Sequence, residues 1–106
     1  MTKTYYDNEF VTINYVLKIE FVSNKIILEY QVDVTEFDDE DSSIFLCFNS
    51  KETKNLIQYY KTDSIEDLID HIHQHFTTYN SLRRYKDFLE KRDIHSTISS
   101  SYALTD

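Results

Sequence analysis

Apolar and polar residues alternate over residues 10–22. Val11, Ile13, Tyr15, Leu17, Ile19 and Phe21 share one parity, while Thr12, Asn14, Lys18 and Glu20 share the other. A period of two is the signature of a half-buried strand. The pattern returns over residues 25–35, where Ile26, Leu28, Tyr30, Val32 and Val34 alternate with Lys25, Glu29, Gln31, Asp33 and Thr35. A tight turn at Ser23-Asn24 pairs Phe21 with Ile26, Ile19 with Leu28, Leu17 with Tyr30, Tyr15 with Val32 and Ile13 with Val34. Both apolar sets then lie on one face. The same register sets Lys18 opposite Glu29 and Thr12 opposite Thr35 on the polar face.

Residues 43–49 form a short continuous apolar run bounded by Ser and Asn, which predicts a third strand covered on one side. Residues 51–61 predict a short helix with Leu56, Ile57 and Tyr60 inward. Ser64-Ile65-Glu66-Asp67 has the form of a capping box, and Ile65, Leu68, Ile69, Ile72, Phe76 and Tyr79 follow at spacings of three and four. A helix therefore starts there and packs on the sheet. The β-branched, turn-prone stretch Thr77-Thr78-Tyr79-Asn80-Ser81 breaks it. A further helix begins near Leu82, with Leu82, Tyr85, Phe88 and Leu89 on one face; one long bent helix is the alternative.

The fold expected is α+β: an antiparallel three- to four-stranded β-meander, the fourth strand coming from the Tyr5-Tyr6 segment, packed against two or three helices in a single layer of each. Residues 1–94 make one domain, and residues 95–106 are polar and aperiodic, read as a flexible C-terminal tail.

Composition changes the picture in two ways. The chain of 106 residues contains no glycine and no proline, so its turns fall to Asn, Asp and Ser, which tolerate or locally cap left-handed backbone. Cys47 is the only cysteine; it excludes an internal disulfide and reads as a small buried hydrophobe within Ile44-Phe45-Leu46-Cys47-Phe48. The scarcity of residues with GC-rich codons points to an AT-rich genome. No apolar run is long enough for a membrane span, and MTKTYYDNEF lacks the apolar core of a signal peptide, so cytoplasmic residence is expected.

Charge changes it further. The chain carries a net −8, and the two halves share it unequally: residues 1–50 hold ten acidic and three basic side chains, residues 51–106 nine and eight. Glu29, Asp33, Glu36, Asp38, Asp39, Glu40 and Asp41 form a run with no Lys or Arg between Ile26 and Ser50. A solvated hairpin face and polar loop is the plain account. The sharper one is a negative surface whose carboxylates imitate phosphates and enter a basic groove, with Tyr30 and Phe37 as anchors.

The same carboxylates lack the spacing and turn glycine of an EF-hand. Asp67, His71 and His75 share a helical stripe and are weak candidate ligands for zinc or nickel, but the metalloprotease Glu and a clear fourth ligand are missing; a polar face with half-buried imidazoles accounts for them more simply. Without glycine there is no nucleophile elbow, phosphate loop or dinucleotide-binding turn, so no enzyme and no cofactor are expected. Arg83, Arg84, Lys86, Lys91 and Arg92 crowd the last helix, yet in a chain this acidic they read as a solvated face, or the positive half of an asymmetric contact surface, rather than a nucleic-acid site.

In general type alone the chain resembles small acidic inhibitors carried by phages and mobile elements. That resemblance implies a stoichiometric inhibitor of the anti-CRISPR or anti-restriction kind, binding a basic, nucleic-acid-handling protein through Glu29, Asp33, Glu36, Phe37, Asp38, Asp39, Glu40 and Asp41. No direct contact with nucleic acid or membrane is expected, and the protein would be a monomer or a homodimer. An immunity or antitoxin-like protein neutralising one toxin is the alternative; a metal-dependent enzyme or sensor is the third reading.

Overall fold

The hairpin register inferred from alternation is the one the structure adopts. The computed structural model describes residues 1–10, 13–34, 42–78 and 82–99. Strand β2 (Ile13–Val22) pairs antiparallel with β3 (Lys25–Val34) through Phe21↔Ile26, Ile19↔Leu28, Leu17↔Tyr30, Tyr15↔Val32 and Ile13↔Val34. Lys18 stands opposite Glu29 as expected; Thr12 and Thr35 lie outside the described residues. Ser23 and Asn24 close the turn at φ 53° and 63°. Positive φ at both central residues is what a type I′ hairpin requires, and Asn and Ser supply here what glycine commonly does.

The Tyr5-Tyr6 segment does form a strand, β1 (Thr2–Phe10), which pairs with β2 and carries an irregularity between Asp7 and Phe10. The apolar run forms β4 (Ser42–Phe48), antiparallel to β3. Helices α1 (Ser50–Tyr60), α2 (Ile65–Thr78) and α3 (Leu82–Glu90) follow. The break between α2 and α3 falls where the β-branched stretch places it, and the predicted inward Tyr79 lies outside the described residues. The fold class is thus α+β, with an all-antiparallel meander and one helical layer.

One boundary needs correction. The tail expected from residue 95 instead contributes β5 (Thr97–Ser99), which pairs with β4 through Cys47↔Thr97, Leu46↔Ile98 and Phe45↔Ser99. Among the described residues the sheet therefore has five strands, in the order β1-β2-β3-β4-β5. Two physical reasons draw the segment in. Beyond α3, Ile94 is buried in the core and Ile98 packs against it, and β4 otherwise presents an unpaired row of backbone groups that a strand satisfies. Residues 100–106 lie outside the described part.

The core sits between the sheet and the helices. Leu17, Ile19, Ile26, Leu28, Leu46 and Phe48 come from the sheet and meet Leu56, Leu68, Ile69, Ile72, Tyr85 and Leu89 from the helices. Ile27 and Phe45 have the opposite strand parity, yet they too are buried. Lys3 and Tyr5 of β1 have the parity that faces the helices: Lys3 Nζ forms an ion pair with Asp70 Oδ1 of α2 at 2.9 Å, and the Tyr5 ring stacks on His73 at 3.7 Å. No helix among the described residues is long and apolar enough to cross a membrane.

Local chemistry sets the helix ends. The Asn49 side chain accepts the Glu52 N–H at 2.8 Å and caps α1. Ser64 Oγ accepts the Asp67 N–H at 3.3 Å, which is one half of the expected capping box. Lys61 and Asp93 adopt φ of 54° and 61° after α1 and α3. At each, paired bonds (Lys61 N–H to Gln58 O with Thr62 N–H to Ile57 O, and Asp93 N–H to Glu90 O with Ile94 N–H to Leu89 O) make a Schellman closure. Asp93 belongs to the residue types expected at such turns; Lys61 does not, and its Cβ makes left-handed backbone costly.

Thr53 ties the two layers together. It is buried in the first turn of α1, where its Oγ1 accepts the Ile26 N–H at 3.0 Å and donates to Phe48 O at 3.2 Å. One hydroxyl thereby joins the start of β3, the end of β4 and a helix. Thr53→Val, which keeps the shape and strands both groups, is expected to lower stability by about 2–3 kcal/mol in urea denaturation. Lys61→Gly should raise it by up to ~1 kcal/mol in the same measurement, because glycine relieves the left-handed strain at some cost in chain entropy.

Candidate functional site

The sequence offers two sets of candidate residues, and the fold separates them onto the sheet and the helical layer. Glu29 lies near the middle of β3, between Lys18 of β2 and Phe45 of β4. Its parity is opposite to that of Ile26, Leu28 and the other core residues of β3, so it belongs to the side of the sheet away from the helices. Position 33 shares that parity and pairs with Asn14. Glu36, Phe37, Asp38, Asp39, Glu40 and Asp41 lie outside the described residues. Among the described residues, the pairing Val32↔Ser42 is the last between β3 and β4 at that end of the two strands.

Tyr30 does not join this surface. Its parity is that of the core, where it packs against the cluster with its ring 5.4 Å from that of Phe76. The anchor role expected of Tyr30 is therefore withdrawn. The alternation that predicts the hairpin already assigns Tyr30 to the apolar face, so the correction was available from the pattern itself.

The second set sits on α2. His71 and His75 lie on one stripe, as their spacing of four dictates, but both rings are engaged with aromatic neighbours. His71 stacks on Tyr60 with centroids 5.5 Å apart and planes 5° from parallel. His75 meets Tyr60 edge-on at 5.4 Å and lies 5.0 Å from Phe88. Asp67, one turn earlier, is exposed. Among the described residues no three His, Cys, Asp or Glu side chains come together as a metal-holding group. His73 turns to the other flank and stacks on Tyr5 of β1.

What joins the histidines is an aromatic cluster at the junction of α1, α2 and α3, which spacing along any one helix does not reveal. The Tyr60 and Tyr85 hydroxyls share a hydrogen bond of 2.6 Å in which either can donate. Tyr59 packs edge-on against both Tyr60 and Phe88. Arg92 closes the outside: its guanidinium lies 3.7 Å from the Phe88 centroid, Nε donates to the Tyr59 hydroxyl at 3.0 Å, and Nη1 donates to Phe88 O at 2.8 Å. A cation held over a ring adds about 0.5–1 kcal/mol at an exposed site. This arrangement is packing chemistry; it uses Arg92 as a clasp and leaves Arg83 and Arg84 exposed on α3.

The cluster has consequences for titration. Partial burial, then the nearby Arg92 and His71, lower the His75 pKa below the usual imidazole range. Burial pushes Tyr60 up to about 12, and pushes Tyr85 well above the ordinary phenol value.

The two directions bound a stability window. As pH falls, the unfolded chain protonates at His75 before the folded one does, so this contribution is full above about pH 6.5 and is lost below it. As pH rises past about 10, the unfolded chain ionises its tyrosines first; for Tyr60 alone that removes roughly 2–3 kcal/mol by pH 12. Urea denaturation from pH 5 to 11 should show a plateau with both limbs. In His75→Gln the acid limb should shrink while the alkaline limb remains.

The chain matches no protein-family model, no curated protein and no solved structure.

Proposed function

We propose that this protein is a stoichiometric inhibitor that binds a basic protein surface, one built to hold nucleic acid, through the acidic end of β3 and the segment that follows it. The observation that supports the reading is positional. Glu29 lies on the side of the sheet opposite the helices, and in the sequence Glu36, Asp38, Asp39, Glu40 and Asp41 follow closely on the end of β3 at Val34.

Lys18 stands opposite Glu29 and partly offsets it, so the negative pole lies toward the exit of β3 rather than across the whole sheet. A concentrated field of this kind steers a basic groove toward the protein and competes for it with phosphate backbones. Phe37 lies within the segment and supplies an apolar anchor. A partner of the anti-CRISPR or anti-restriction target class, a nucleic-acid-binding effector of host defence, fits this chemistry, and so does a gene carried by a phage or mobile element.

The test is affinity capture from the native cell, or from the host of the element that carries the gene, followed by titration of the captured protein. Binding should weaken steeply with salt. Changing Asp38, Asp39, Glu40 and Asp41 together to Lys should weaken it at least tenfold and flatten the salt dependence, while the circular dichroism spectrum stays unchanged. A quadruple variant that binds with unaltered affinity and salt response would remove the acidic segment from the interface.

A further inference from the structure

The sheet ends on one side at β1, which stands first in the order of strands and, among the described residues, pairs with β2 alone. A strand in that position offers a row of backbone groups to a further chain. Which groups they are follows from the foot of the ladder. The Met1 ammonium donates to Phe21 O at 3.1 Å and the Phe21 N–H donates to Met1 O at 2.8 Å, so the two residues are a hydrogen-bonded pair. In an antiparallel ladder such pairs alternate with pairs that exchange no bonds. The N–H and C=O groups of Lys3, Tyr5 and Asp7 therefore point at Ile19, Leu17 and Tyr15 of β2, and those of Thr2, Thr4 and Tyr6 point away from it. Thr2 and Thr4 are exposed.

Proteins blunt such an edge with proline, a bulge, an inward-pointing charge or a very short strand. The opposite edge strand, β5, is three residues long, whereas β1 has nine and no proline. The irregularity in β1 lies between Asp7 and Phe10, so the run from Thr2 to Asp7 stays regular. Its inward-pointing charge is Lys3, and Asp70 neutralises it at 2.9 Å. A long regular stretch of edge is left without these protections.

The edge is complementary to itself. When two β1 strands pair antiparallel about a two-fold axis, the outward residues must form the hydrogen-bonded pairs. Thr4 opposite Thr4 sets Lys3 against Tyr5 and matches no charge. Tyr6 opposite Tyr6 runs the pairing past Asp7 into the irregular stretch. Thr4 opposite Tyr6 puts the axis at Tyr5, keeps every pair from residue 3 to residue 7 in the regular part, and sets Lys3 of each copy opposite position 7 of the other, an aspartate. Opposite charges so placed stabilise a strand pair. An ammonium has three donors, and the Lys3 bond to Asp70 uses one of them.

We propose that two copies of this chain associate through β1, antiparallel about a two-fold axis at Tyr5, with Thr4 and Tyr6 exchanging backbone hydrogen bonds and Lys3 opposite Asp7. One continuous sheet then runs through both copies. The surface is separate from the acidic end of β3 and does not depend on the inhibitor reading.

Sedimentation of the full chain from micromolar to millimolar concentration should show a reversible monomer–dimer equilibrium. In a mixture of ¹³C-labelled and unlabelled chains, isotope-filtered NOEs should link the Tyr5 Hα protons of the two copies, and Lys3 Hα to Asp7 Hα, because pairs that exchange no hydrogen bonds bring their Cα atoms to about 4.5 Å. Thr4→Pro removes an outward N–H and leaves the bonds to β2 in place. It should stay folded, as edge prolines facing away from the sheet do, and dimerise roughly tenfold or more weakly. Asp7→Lys sets like charges opposite each other and should also weaken the dimer, with partial recovery in high salt. The proposal fails if the chain stays monomeric at millimolar concentration, if folded Thr4→Pro dimerises as the wild type does, or if the NOEs place another strand or another register at the interface.

Discussion

The register of the β2–β3 hairpin is the constraint on which the rest of the molecule depends. With Ile19 opposite Leu28 and Leu17 opposite Tyr30, one side of both strands is apolar and the helices have a surface to cover. A slip of one residue would move the apolar set of one strand to the other side of the sheet and turn either Lys18 or Glu29 toward the helices. Burial of ionised groups without partners costs several kcal/mol each, so the alternative registers are strongly disfavoured. The same register assigns Glu29 to the side of the sheet away from the helices.

A chain without glycine must reach that register by other means. Ser23 and Asn24 take positive φ in the hairpin turn, and Lys61 and Asp93 do so at the helix ends. None of the four is free of the Cβ penalty, although Asn and Asp offset it through local hydrogen bonding. Tertiary contacts hold the costly positions in place. Ile94, which follows Asp93, is buried with Leu89 in the core, so the left-handed residue is fixed by the apolar contact behind it.

Elements written as one periodic segment were legible in the sequence. The hairpin pairing, the start of α2 at Ser64, the inward residues of α3 and the strand at Tyr5 all follow from local pattern, and all are present. What escaped the pattern depends on contacts distant in the chain. Thr97–Ser99 is too short and too polar to announce a strand; it forms because β4 offers an edge and Ile98 reaches the core. Likewise the stripe of His71 and His75 is visible in the helix period, but Tyr60, which meets both rings, comes from α1, and Phe88 and Arg92 lie at and beyond the end of α3. Glu52 and His95, 43 positions apart, share a hydrogen bond only because α1 and the approach to β5 flank the same end of the sheet.

Strand β3 is long enough to keep its two ends electrically apart. Lys25 begins β3 and Val34 ends it, which at about 3.3–3.4 Å per residue separates them by roughly 30 Å. That is several times the Debye length of about 8–10 Å at physiological ionic strength. A field from the acidic end of β3 is therefore largely screened at the start of the strand. Electrostatics alone gives little coupling between the ends. Any coupling would have to pass through packing, and the mechanical link is Thr53: its hydroxyl holds Ile26 of β3 on one side and Phe48 of β4 on the other. A second copy at β1 meets neither end of β3, because β2 stands between the two strands. Strands β1 and β3 run parallel, each being antiparallel to β2. In a pair joined by antiparallel β1 strands, the acidic ends of the two β3 strands therefore point opposite ways, leaving each copy free to hold a partner of its own.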